Sequence, residues 1–167
     1  FEEKMVSNGI SHGLGSYGFD TRAGTEFKVF TNINSSIADP KNFSEDNFIT
    51  VKNDESILIP PNSFALCNSL ETFKMPRDVT GLVTLKSTYC RVGLGHPPSV
   101  LEAGWCGVLV LELVNHSSNP VRVYSNTGIS QILFFRGEEA AVSYADKKGK
   151  YQNQGEGQEK ITFAKAK

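Results

Sequence analysis

Glu112 is the residue whose surroundings argue most directly for chemistry. It interrupts Val108-Leu109-Val110-Leu111-Glu112-Leu113-Val114, a run apolar on both sides that predicts a central strand, where an ionised carboxylate is costly unless paired. Burial raises a carboxylate's pKa toward neutrality, the tuning that proton transfer wants, so Glu112 is a candidate general base. The plainer alternative is an outward-facing Glu on a half-exposed sheet. Ser87 and Arg91 stand four apart and on a short helix share a face that could hold a water, a nucleobase or a phosphate; a capping Ser and a surface Arg would also explain them. Lys86, beside that helix start, makes a small anion-binding corner with Arg91. Glu102-Ala103-Gly104-Trp105 carries the only Trp and follows His96-Pro97-Pro98-Ser99, whose prolines stiffen the backbone and leave carbonyls free to face a ligand. Tyr144, Lys147, Lys148, Lys150 and Gln154 are donors that could close over phosphates, or simply a solvated tail.

Other chemistries lack their residues. His12, His96 and His116 form no His-x-Glu or His-x-x-x-His unit and no Cys-x-x-Cys occurs, so the signature of a hydrolytic zinc site, including that of the zinc nucleobase deaminases, is missing. There is no Walker-type Gly-x-x-x-x-Gly-Lys and no Gly-x-Ser-x-Gly elbow. The 167 residues carry 17 Lys+Arg against 18 Asp+Glu, too balanced for generic nucleic-acid binding or adhesion to an anionic membrane, so any phosphate recognition must be local. The longest apolar runs, 108–113 and 129–135, fall far short of the roughly 20 residues that span a bilayer, and no signal segment opens the chain. A cytoplasmic protein is expected, with Cys67, Cys90 and Cys106 as buried or semi-buried thiols. Phe1 in place of an initiator Met leads us to expect a missing N-terminal segment.

The elements that must position these residues read as all-β. Apolar residues alternate or cluster in short runs separated by Gly, Pro, Asn and Ser, and almost nowhere recur at helical spacing. Strands are predicted over 18–22, 27–31, 57–59, 63–70, 79–85, 108–115, 121–124 and 129–135, with turn chemistry at Pro60-Pro61-Asn62, Asn119-Pro120 and Asn126-Thr127-Gly128. Residues 86–94 predict one short helix, capped by Ser or Thr and ended by Gly93. Residues 146–158 are polar and poor in aliphatics, which predicts a mobile tail. No repeat or linker divides the chain, so a single domain over 1–167 is expected.

Several of these signals fall in one order. Ser16-Tyr17-Gly18-Phe19-Asp20-Thr21-Arg22 is followed by Ile59-Pro60-Pro61-Asn62-Ser63-Phe64-Ala65-Leu66 and then by Lys86-Ser87-Thr88-Tyr89-Cys90-Arg91. Gly104-Trp105-x-Gly107 and Leu111-Glu112-Leu113-x-Asn115 come next, and Tyr144-Ala145-Asp146 with Gly149-Lys150-Tyr151-Gln152-x-Gln154 close the series. In this order the segments resemble the motifs of the dCTP deaminases, relatives of the trimeric dUTPases, over residues 13–154.

The resemblance implies a distorted jelly roll or β-barrel of the dUTPase-like type with one short helix, assembled as a homotrimer with active sites between subunits. The implied reaction is zinc-independent hydrolysis of dCTP to dUTP and ammonia, a step of pyrimidine deoxynucleotide biosynthesis. In that scheme Glu112 is the general base and acid, Ser87 helps place the water, and Arg91 supports the site electrostatically. Lys86, Gln131, Tyr144, Lys150 and Gln154 hold the triphosphate, Glu102 lies near the deoxyribose, and Trp105 belongs to the substrate site. Mg²⁺ is chelated by phosphate oxygens, with no protein side chain as metal ligand. Residues 144–167 form a mobile closing segment.

The chain departs from the family pattern in places. Residues 95–101 replace a Val-Thr-Ala or Val-Thr-Pro element, and Pro98 stands where a carbonyl is expected to contact the water or the base. The tail after Gln154 lacks a Gly-x-Thr ending, which bears on lid closure and on feedback inhibition by dTTP. One alternative is a bifunctional enzyme that takes dCTP to dUMP and pyrophosphate. Another is a non-catalytic nucleotide-binding trimer, against which Ser87, Arg91 and Glu112 together argue. A pure dUTPase should show Gly-Val-Ile-Asp and a Gly-x-Gly-Ser-Thr-Gly tail, where this chain has Val100-Leu101-Glu102 and no such tail.

Overall fold

The longest strand, β3 (Gly18–Phe30), runs through a stretch where two separate strands are predicted. A register shift between Ala23 and Phe27 adds two residues on β3 and so preserves the inward phase, with Phe19, Thr21, Ala23 and Phe27 all buried. The computed structural model describes residues 3–7, 9–33 and 37–155. Around β3 lie β1 (Met5–Ser7), β2 (Ile10–Leu14), β4 (Phe48–Lys52), β5 (Ser56–Ile59), β6 (Phe64–Lys74) and β7 (Val79–Leu85). A single turn of helix, α1 (Ser87–Cys90), precedes β8 (Leu94–Gly95), β9 (Ser99–Leu101), β10 (Cys106–Asn115), β11 (Val121–Tyr124) and β12 (Gly128–Arg136). The predicted spans 79–85 and 121–124 coincide with β7 and β11, whereas β1, β2, β4, β8 and β9 have too few residues or too little alternation to be read from sequence.

Because β3 is long and bulged, its two halves serve different neighbours. The first half pairs with β2 and β12, and the second with β6 and β4. The resulting curled antiparallel sheet has the order β8-β10-β6-β3-β12-β7-β9, and β5 and β11 form a separate two-stranded ribbon. Phe19, Phe27, Leu111, Leu113, Ile129 and Ile132 meet in the interior. Asn115, at the end of β10, ties that strand to the loop after β5. Its amide donates to the carbonyls of Ile59, Pro60 and Asn119 at 3.0, 3.0 and 2.8 Å, while its oxygen accepts from the Ser117 N–H and hydroxyl at 2.9 Å. A buried amide satisfied on both ends fixes its strand end in one position.

The helix departs from the expected capping. Lys86, not Ser or Thr, occupies the N-cap and makes no side-chain cap bond. The helix ends at its Arg91 C-cap, short of the expected Gly93, which lies two residues further on at φ +88°. What holds α1 is Tyr89, 97% removed from solvent, whose hydroxyl accepts the Tyr124 N–H at 3.2 Å. The thiols also divide differently from expectation, since Cys67 is buried and Cys106 half-buried but Cys90 is exposed.

Candidate active site

Every second residue of β10 is buried, so Gly107, Leu109, Leu111 and Leu113 face inward and Val108, Val110, Glu112 and Val114 form the half-exposed face. Glu112 therefore takes the outward-facing, half-exposed position of the plainer alternative, not one buried on both sides. Its side chain is 45% exposed and opens into a groove of about 560 Å³. The groove also gathers Glu102, Trp105, Tyr144, Lys150 and Gln154, with Phe43, Phe48 and Phe64 along one wall. Burial raises the pKa of Glu112 above the ordinary carboxylate value, opposed in part by the His96 imidazole and by Glu112's own backbone N–H. Beneath it, Cys67 has its thiol pushed far up, first by burial and then by the Glu112 charge.

The segment from 138 to 155 folds back over this groove. Arg77, in the turn after β6, collects Glu139 at 2.9 Å, Asp146 at 2.8 Å and the Ala140 carbonyl at 3.1 Å. The Ser143 N–H donates to Asp146 at 2.9 Å, and this bond, with the Ser143 hydroxyl and Arg77, holds that carboxyl below its usual pKa. Tyr144 then hangs from the Ala103 carbonyl by its N–H at 2.9 Å, and its hydroxyl accepts the Tyr151 N–H at 2.9 Å. Trp105 donates its indole N–H to the Tyr151 carbonyl at 2.9 Å. Gln154 completes the docking through a parallel bridge to Gly107 and through Val108, whose N–H it accepts at 2.9 Å and to whose carbonyl its side chain donates at 3.1 Å. Residues 156–167, the rest of the expected closing segment, lie outside the described residues.

The remaining predicted residues sit elsewhere. A second cleft of about 330 Å³ is lined by Ser11, Asp20, Lys86, Ser87, Thr88 and Gln131. The register explains it, because Gln131 on β12 pairs with Asp20 on β3 and with Thr84 on β7, two residues before Lys86. Lys86 is paired with Asp20 and lies 3.2 Å from the Ser11 hydroxyl, both ionic side chains being nearly buried. The cation expected to meet phosphate thus already has an anionic partner, a residue that sequence reasoning did not single out. Arg91 is exposed at the C-cap of α1, one turn from Ser87, and Pro98 is exposed on the approach to β9; neither lines either cleft. Sequence reasoning also passed over His96, which lies against Glu112 with its side chain wholly buried.

The raised pKa of Glu112 has a kinetic consequence for any reaction in which it accepts a proton. The ionised form is the active one, so kcat/KM should fall as pH drops through the raised value, at higher pH than an ordinary Glu near about 4.3 would allow. A pH profile of kcat/KM checks this; an acid limb at or below the ordinary Glu value contradicts it.

Comparison with known proteins agrees on one group. The fold is all-β, a curled antiparallel sheet with a separate two-stranded ribbon. A family model described as dCTP deaminase-like matches residues 2–137. The dCTP deaminase of Acidobacterium capsulatum is 54% identical over 156 residues, covering 92% of this chain and 85% of that protein. The dCTP deaminase of Nautilia profundicola is 48% identical over 168 residues, covering 99% of this chain and 87% of that protein. Among solved structures, a 2'-deoxycytidine 5'-triphosphate deaminase from Agrobacterium tumefaciens matches with a TM-score of 0.62 at 18% identity. That match covers 81% of this chain and 42% of the other, and is a likeness of fold. The chain belongs to the dCTP deaminase-like family. Among the described residues no helix is long and apolar enough to cross a membrane.

Proposed function

We propose that this protein is a dCTP deaminase, a cytoplasmic hydrolase that breaks the exocyclic C–N bond of the cytosine ring and supplies dUTP for pyrimidine deoxynucleotide synthesis. The observation that carries the reading is the half-buried Glu112, with its raised pKa, opening on a groove that also holds Trp105, Tyr144, Lys150 and Gln154. Glu112 takes a proton from water as the oxygen attacks C4 of the base, passes it to the ring nitrogen, and then carries the remaining proton of the C4 hydroxyl to the amine, which leaves as ammonia as the C4 carbonyl forms. One water is consumed and one ammonia released, so dCTP becomes dUTP. The basic groups needed for a single triphosphate are local, in keeping with a net charge of −1. Mg²⁺ travels with the phosphates. In this reading the cation is held mainly by the phosphate oxygens.

Ser87, Lys86 and Gln131 line a cleft separate from the one that contains Glu112. We take the working site to be assembled from two copies in a homotrimer, Glu112 from one and the α1 turn from its neighbour. Co-expression of Glu112→Gln with Ser87→Ala chains, each inactive alone, should then restore activity, because a mixed assembly contains interfaces with both residues intact. Mixtures that stay inactive although mixed assemblies form would remove the shared-site reading.

A timed incubation with dCTP and Mg²⁺, with nucleotides and ammonia resolved, tests the activity. Accumulating dUTP with stoichiometric ammonia is the expected result. Release of dUMP with pyrophosphate would make it a two-step enzyme, and tight dCTP binding without turnover would make it a nucleotide-binding protein.

A further inference from the structure

His96 follows β8, the two-residue strand whose Leu94 and Gly95 pair with Asn115 and Val114 of β10. That pairing carries the imidazole to Glu112 across 16 residues of sequence. Its side chain is 0% exposed, its Nδ1 lies 3.0 Å from the Glu112 main-chain carbonyl and 3.5 Å from Oε2 of the Glu112 carboxylate, and its Nε2 lies 3.4 Å from the Ser99 hydroxyl. A carbonyl oxygen only accepts, so a hydrogen must be on Nδ1, and Nε2, when it carries none, accepts from the Ser99 hydroxyl. The same Nδ1–H faces the carboxylate oxygen at a distance that can tighten when a ligand fills the groove. Ser99 and Glu112 both line that groove, whereas His96 does not.

We propose that His96 is a positioning residue for the reaction at Glu112. Its Nδ1–H anchors the β10 backbone at residue 112 and tethers one carboxylate oxygen, so the other is presented to the attacking water, and Ser99 keeps the ring in that tautomer. This rests on the reading of Glu112 as the proton-transferring group and adds what holds that group still. A buried His serving only to pack β8 onto β10 would leave the carboxylate's aim unchanged.

The test compares the unaltered chain with His96→Val and His96→Asn. Asparagine places its side-chain N–H close to where the Nδ1–H stands and so retains the tether, which valine lacks. In dCTP turnover, His96→Val should lose about 10- to 100-fold in kcat while KM for dCTP stays within about threefold, and His96→Asn should recover to within about threefold of the unaltered kcat. A kcat for His96→Val equal to the unaltered value overturns the inference, as does an equal loss in both variants at matched thermal stability. If His96→Val does not fold, ¹⁵N spectra of the histidine rings in the unaltered chain decide the matter. A neutral ring protonated on Nδ1 at His96 supports the inference, and one protonated on Nε2 overturns it. No turnover by the unaltered chain would overturn the reading of the site itself, and this inference with it, whereas turnover with indifferent His96 variants removes the inference alone.

Discussion

Replacing Glu112 by Gln should lower kcat for dCTP deamination by about 10³- to 10⁴-fold while dCTP binding stays within a few fold, because general acid–base catalysis by one positioned group is worth about 10²–10⁴ and here a single carboxylate serves more than one transfer. Glutamine has nearly the same shape, fits the half-exposed face of β10 and still offers a carbonyl oxygen to His96, so the groove should keep its form. It can neither take a proton from water nor return one to the ring. Stability should move little, and in a definite direction. A carboxyl with a raised folded-state pKa loses stability as pH rises through that value, so at neutral pH a neutral isostere melts at the same temperature or higher. Ammonia release together with calorimetric titration of dCTP measures both quantities. Turnover within about tenfold of the unaltered chain would sink the assignment of Glu112.

The second large effect should come from a position with no functional group. Gly107 sits at φ +146°, and a Cβ there would lie 2.8 Å from the Gln154 carbonyl oxygen and 2.9 Å from its nitrogen, both backbone atoms. The closing segment runs against β10 at that point, held by the Asn153 N–H to the Cys106 carbonyl at 2.8 Å and by the Val108 N–H to the Gln154 carbonyl at 2.9 Å. Gly107→Val must push this segment away, and with it Lys150 and Gln154, which line the groove. We expect kcat/KM for dCTP to fall by about 100-fold, mostly through KM, with the β-sheet circular dichroism signal retained. A truncation that removes residues 150–167 should reproduce the kinetic loss. Unaltered kinetics in Gly107→Val would mean that the docked segment takes no part in substrate binding.

Much of the strand content was legible in the chain because short apolar runs bounded by Pro, Gly and Asn leave few other options. The merging of two predicted strands into β3 was not, since the predicted spans stop at residue 22 and resume at 27, and only pairing with β6 on one side and β12 on the other carries the backbone through. The choice between a buried and an outward-facing Glu112 was left open for a related reason. Val108, Val110 and Val114 on its own face are as apolar as Leu109, Leu111 and Leu113 on the other, so the period of two that separates inside from outside leaves no mark in the sequence. The helix cap went astray because Lys86, with no capping side-chain oxygen, is set by its partner Asp20 and by Tyr89 packing in the core rather than by local bonding.

The sequence by itself determined that this is an all-β chain, with Ser87, Arg91 and Glu112 in family order and a balanced charge that confines phosphate binding to a few groups. The tertiary structure decided that Glu112 shares a groove with the folded-back tail, that Lys86, Ser87 and Gln131 lie in another, and that His96 stands against Glu112. The physical reason is the range of the interactions. Hydrophobic alternation and turn chemistry act over a few neighbouring residues and are written locally. Contacts across 16 residues between His96 and Glu112, or 66 between Lys86 and Asp20, exist only once the strand registers have been chosen by burial of the whole core.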